Sequence, residues 1–131
     1  MLERVLRDLM DAPLQPGEKL NLIGHSAGGI IVNNVSNGLR ARGIAVDNMI
    51  TLGTPLYPGT VNAPLPHDVP VTNFTSGSSG DLLARTLSGP NVINVPVVNI
   101  TPDGTTDFLT AHSGYWTNAM VLSVVQQLIK P

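Results

Sequence analysis

No cysteine occurs in the chain, so disulfide bridges and thiolate metal sites are excluded, while the compartment stays undecided. Charge is scarce as well. Only 12% of the residues are Asp, Glu, Lys or Arg, and they sum to a net charge of −2 without long runs of one sign. That balance gives no electrostatic footprint for nucleic acid or an anionic membrane. No apolar run reaches the ~18 residues expected of a membrane span. The opening Met1-Leu2-Glu3-Arg4-Val5 alternates charged with apolar residues and supplies no signal-peptide core. For a complete chain these absences predict a cytoplasmic protein without a transmembrane segment.

What is present is apolar. Hydrophobic residues make up 42% of the 131, which argues against disorder and for one tightly buried domain spanning residues 1–131. Three Asn-x-Ser/Thr matches, at Asn34, Asn73 and Asn99, read as chance in a sequence rich in Asn and Thr.

Leu2, Val5, Leu6 and Leu9 fall at the spacing of an amphipathic helix, which Pro13, Pro16 and Gly17 stop. Glu18 to Gly24 reads as a short apolar strand. From Ala27 to Arg42 the pattern is helical, with Ile31, Val35 and Leu39 on one face and Gly43 at the end. Asp47 to Gly53 is a second strand. Residues 54 to 68 hold Pro55, Pro58, Gly59, Pro64 and Pro66, which exclude regular structure. Val69 to Thr75 is a third strand, followed by a Ser/Gly turn and a short helix over Asp81 to Leu87. Asn91 to Ile100 is a fourth strand, Thr101 to Ala111 a loop, and Trp116 to Ile129 a helix with Val121, Val124, Val125 and Leu128 inward. Apolar strands alternating with helices predict an α/β fold, with a parallel sheet of about four strands and helices on both faces.

The chemistry concentrates at Gly24-His25-Ser26-Ala27-Gly28, a Gly-x-Ser-x-Gly pattern. This composition produces it by chance roughly 0.08 times, so context carries the weight. The motif leaves an apolar strand and enters a helix with almost no spacer. A serine there sits in a sharp, strained turn that lifts its hydroxyl above the sheet, and the flanking glycines remove clashing side chains. The helix N-terminus offers main-chain N–H groups to a developing oxyanion, that of Ala27 first. A purely structural Gly-rich turn is the competing reading.

A nucleophilic serine needs a base, and the base needs an orienting group. Of the three histidines, His25 lies inside the elbow and points away from the hydroxyl, as a packed or hydrogen-bonded residue. His67 precedes a strand, at the far end of the sheet. His112 follows the fourth strand on the edge that carries Ser26, where open α/β sheets place ligands, and it is the candidate base. Asp81, Asp103 and Asp107 are the candidate acids. Asp103 suits a Pro-Asp-Gly turn, and Asp107 shares the loop of His112. Asp81 follows the third strand, in the chain order Ser…Asp…His, although the position also suits a helix N-cap.

With these residues in place, the sequence resembles the lipase/esterase branch of the α/β-hydrolase family. Gly24-His25-Ser26-Ala27-Gly28-Gly29 is similar to its nucleophile elbow, and Thr51-Leu52-Gly53-Thr54-Pro55 to the segment after the next strand. Val69 to Phe74 with Asp81 is similar to the acid-bearing strand, and His112-Ser113-Gly114-Tyr115 to the histidine loop. The resemblance implies ester hydrolysis through an acyl-enzyme on Ser26, with Asp81 and His112 completing the triad and with no metal or cofactor. The substrate is then a small-molecule or lipid ester. Leu56, Tyr57, Val61 and Leu65 are candidates to line an acyl site, or else simply cover the core.

The family fold has further strands before the elbow, and a loop among them gives a second oxyanion donor. Here only residues 1 to 25 precede Ser26, so the expectation is a truncated hydrolase with the strand at residues 20–24 on a sheet edge. Such an edge demands a partner, either in a homo-oligomer or from an N-terminal segment. Two other functions fit the same residues: an inactive hydrolase half serving as an assembly or binding module, and an acyltransferase.

Overall fold

The computed structural model describes residues 1–55, 64–77, 80–101 and 103–130. Among them, β1 (Asn21–His25), β2 (Asn48–Leu52), β3 (Val71–Thr75) and β4 (Val92–Pro96) form one sheet in the order β1-β2-β3-β4. All three pairings are parallel. Around the sheet lie α1 (Leu2–Asp11), α2 (Ala27–Arg40), α3 (Phe108–Ser113) and α4 (Ala119–Leu128), with a 3-10 turn over Gly114–Thr117.

Side chains alternate along each strand, so the sheet feeds two cores. Leu22, Met49 and Val71 join Val35 and Leu39 of α2, with Leu2, Val5, Leu6 and Leu9 of α1 packed against them. Ile50, Leu52 and Phe74 point the other way, toward Tyr115, Val121 and the α4 residues Val124, Val125 and Leu128. Helices thus cover both faces, and the fold is α/β. No described helix is long and apolar enough to cross a membrane.

One polar seam crosses this apolar sheet. Thr51, Asn73 and Asn94 lie in register on neighbouring strands. Thr51 Oγ1 donates to Asn73 Oδ1 at 2.7 Å, and Asn73 Nδ2 to Asn94 Oδ1 at 2.8 Å. The seam explains a departure from the sequence pattern, because no helix forms over Asp81 to Leu87. Instead Arg85 O accepts from Asn73 Nδ2 at 2.8 Å, while Leu87 exchanges bonds of 2.9 and 2.8 Å with the Asn94 amide. Side chains from the sheet take the main-chain groups that a helix would pair internally.

Two other boundaries move. Residues 108–113, expected as loop, form α3, capped by Asp107, whose side chain accepts from Thr110 N at 2.9 Å. The final helix starts at Ala119 rather than Trp116, because Asn118 accepts from Met120 N and Val121 N and so fixes the N-terminus there. The fourth strand stops at Pro96 on an edge of the sheet, where a missing N–H costs no ladder bond. Asn73 and Asn99 are buried, so neither Asn-x-Ser/Thr match is open to modification in the folded protein.

Candidate active site

β1 ends at His25 and α2 begins at Ala27, which leaves Ser26 alone to reverse the chain. Its φ of 54° and ψ of −128° make it the one non-glycine residue with positive φ among the described residues. Such a conformation costs on the order of 1–3 kcal/mol and persists only where its surroundings impose it. Here Ser26 N donates to Leu52 O at 2.9 Å, and Gly29 N to Ser26 O at 3.0 Å. Gly24 permits the closure, since a Cβ there would lie 2.4 Å from Gly28 O. Gly28 plays no such part: a Cβ on it would meet nothing within 4 Å. The expectation that both flanking glycines relieve clashes therefore holds only for Gly24.

Three loops at the C-terminal edge of the sheet converge on the elbow. His112, in the last turn of α3, places Nε2 2.9 Å from Ser26 Oγ and Nδ1 3.0 Å from Asp81 Oδ1. A carboxylate only accepts, so Nδ1 carries the proton and Nε2 presents its lone pair to the serine hydroxyl. Asp81 is buried, and its Oδ1 also accepts from Leu83 N at 3.1 Å and Ala84 N at 3.2 Å. The N-cap-like bonding and the contact with His112 coexist on one oxygen, although no helix follows. The structure thus brings Ser26, His112 and Asp81 into one hydrogen-bonded chain. The Phe108 ring stacks on His112 at 5.6 Å between centroids and an interplanar angle of 4°.

No known family model and no curated protein matches this sequence.

The remaining candidates separate cleanly. His67 is exposed, ahead of β3 and away from the elbow. Asp103 bonds Thr101 and Thr105 within its own exposed loop, and those hydroxyls hold its carboxyl at about 2. Asp107 caps α3 and thereby supports His112 indirectly, and the Thr110 N–H lowers its carboxyl below the usual range. Ala27 is the first residue of α2, so its N–H is among those with no intrahelical acceptor. Leu65 packs against the core beneath α1 and α2, which favours core coverage over an acyl site. Leu56, Tyr57 and Val61 lie outside the described residues. Among the described residues no group of three or more His, Asp or Glu is placed to hold a metal ion.

One residue of the site carries no signal in the motif. Tyr115 is buried, and its hydroxyl donates to Asp81 Oδ2 at 2.7 Å, so the second carboxylate oxygen is also satisfied. Gly53, at φ 56°, makes room: a Cβ there would stand 2.6 Å from Tyr115 Cε2 and 2.8 Å from Asp81 Oδ2. Burial first, then the bond to Asp81, pushes the Tyr115 hydroxyl well above the usual phenol range.

Two consequences follow for Tyr115→Phe. At neutral pH the variant is less stable by about 1–3 kcal/mol, because a buried carboxylate oxygen loses its donor. The folded-state pKa lies above the unfolded one, so the wild type keeps this contribution below about pH 10 and loses it above, at about 1.4 kcal/mol per pH unit. Phenylalanine has no such proton to lose. The deficit of the variant therefore narrows as pH rises past about 10. Urea unfolding of both proteins at neutral and alkaline pH measures it, and a deficit independent of pH contradicts the reading.

Proposed function

We propose that the chain is a serine hydrolase of carboxylic esters, lipase- or esterase-like, built on an α/β-hydrolase type of sheet. The observation that carries this reading is the Ser26–His112–Asp81 hydrogen-bonded chain on a strained strand-to-helix turn. Ser26 Oγ attacks the ester carbonyl carbon while its proton passes to His112 Nε2. The tetrahedral oxyanion forms beside the α2 N-terminus, with Ala27 N–H as its first donor. When the intermediate collapses, the alkoxide leaves with the proton from His112 Nε2, and the acyl group remains on Ser26. Water then attacks this acyl-enzyme, gives its proton to His112, and the acid departs as the proton returns to Ser26. Asp81 stays ionised throughout, holds the Nδ1–H tautomer and offsets the charge of the imidazolium.

The substrate class is a small-molecule or lipid ester, with Leu56 and Tyr57 proposed as lining residues. The edge of β1 is unpaired among the described residues and borders a groove of about 390 Å³ that includes Met1, Val5, Ile31 and Val32. We propose pairing of this edge with a second copy or an added N-terminal segment, and a monomer in sedimentation at micromolar concentration argues against the homo-oligomer. The hydrolase reading is tested with p-nitrophenyl acetate and butyrate. The expected result is turnover with an initial burst from acyl-enzyme formation, whereas folded protein that releases p-nitrophenol no faster than buffer contradicts it.

A further inference from the structure

His25 sits beside the nucleophile yet takes no part in the Ser26–His112–Asp81 chain. Alternation along β1 sends it to the face opposite Gly24, under the segment that carries the base. There its Nε2 lies 2.7 Å from the main-chain oxygen of His112. A carbonyl only accepts, so this nitrogen bears the proton and donates it. Two consecutive residues of the elbow thus grip one residue of α3: Ser26 by its ring at 2.9 Å, His25 by its carbonyl at 2.7 Å. The His25 ring also lies 5.0 Å from the ring of His112 and 6.0 Å from those of Tyr115 and Trp116.

α3 needs such ties. It has six residues and buries only Ala111, and helices this short do not hold themselves in water. Its closing carbonyls lack intrahelical donors, and two side chains from elsewhere supply them: Asn99 Nδ2 to Ala111 O at 2.8 Å, and His25 to His112 O. Of the two, only His25 belongs to the element that ends in the nucleophile. Its bond therefore ties the residue next to Ser26 to the residue that carries the base.

Resting on the serine-hydrolase reading, we infer that His25 is a positioning residue, whose Nε2–H holds the main chain of His112 so that the imidazole meets Ser26 in register. Displacement of a reacting group by about 1 Å costs on the order of 10² in rate. The separating variants are His25→Phe, which keeps a ring and loses the donor, and His25→Gln, whose Nε2 reaches the same place.

The experiment is the rate of fluorophosphonate addition to Ser26, with kcat and KM for p-nitrophenyl butyrate alongside. Expected for His25→Phe is a fall of roughly 10–100-fold in phosphonylation rate and kcat, with KM little changed. His25→Gln recovers most of that loss. Equal rates in wild type and in folded His25→Phe overturn the inference, as does a His25→Gln variant as slow as His25→Phe, which would assign the effect to ring packing. Wild type that takes no phosphonate at Ser26 overturns the hydrolase reading itself, and the positioning role with it. A measurement on unaltered protein complements the variants. In ¹⁵N-histidine-labelled wild type, the His25 Nε2–H resonance is expected to be protected from exchange, and a rapidly exchanging proton there contradicts the bond.

Discussion

Ser26→Ala is expected to abolish ester turnover, with a loss on the order of 10⁶ in kcat where nucleophile, base and orienting acid act as a unit. The substitution removes one oxygen and little else. Alanine at φ 54° meets the same backbone strain as serine, and the bonds that impose the turn, Ser26 N to Leu52 O and Gly29 N to Ser26 O, are main-chain bonds that survive the change. His112 Nε2 loses a partner, but the ring keeps its bond to Asp81 and its carbonyl bond to His25. The variant should therefore melt close to the wild type and bind ester while failing to cleave it. Turnover at the wild-type rate in folded Ser26→Ala would place the chemistry elsewhere.

Asp81→Asn carries the second-largest effect, about 10⁴ in kcat. The carboxylate accepts on both oxygens, from His112, Leu83 and Ala84 on one side and Tyr115 on the other. An amide accepts on one side only. With its oxygen toward His112 it keeps the Nδ1–H tautomer, yet it offers no negative charge to the imidazolium that forms during attack. With its NH₂ toward His112 it forces the proton to Nε2, and the base can no longer take one from Ser26. Either orientation lowers kcat with modest change in KM. Circular dichroism must confirm folding, and a folded variant within tenfold of wild type contradicts the orienting role of Asp81.

The fold is legible in the sequence because its strands obey the rule for sheets buried on both faces. Leu22-Ile23 and Met49-Ile50 each supply one apolar side chain to either core, so they read as unbroken apolar runs. α1 is equally plain, since Leu2, Val5, Leu6 and Leu9 all pack on the core. α2 matches its expected stripe only in part: Val35 and Leu39 are buried, but Ile31 is exposed and Asn33 and Ser36 take places on the buried face. The short elements are not plain. α3 spans six residues, too few for periodicity, and the cue that was present is the capping pair Asp107 and Thr110. The helix expected over Asp81 to Leu87 loses to Asn73 and Asn94, whose reach to Arg85 and Leu87 depends on sheet pairing that no local window contains.

The site divides in the same way. Ser26 announces itself by the glycines around it, and His112 and Asp81 by their place after successive strands. Tyr115 does not. Its partner Asp81 is 34 residues away, and the link requires Gly53 from a third segment to leave space. His25 is similar, since its bond to a main-chain carbonyl 87 residues distant leaves no mark on sequence pattern.

The most direct test of the central claim is intact-mass analysis after incubation with a fluorophosphonate, followed by peptide mapping. Such probes add to a serine whose base has already activated it. One adduct per chain is expected, located on Ser26 and lost in Ser26→Ala. Folded protein that gains no mass, or gains it on another residue, would contradict the claim that Ser26, His112 and Asp81 form a working triad.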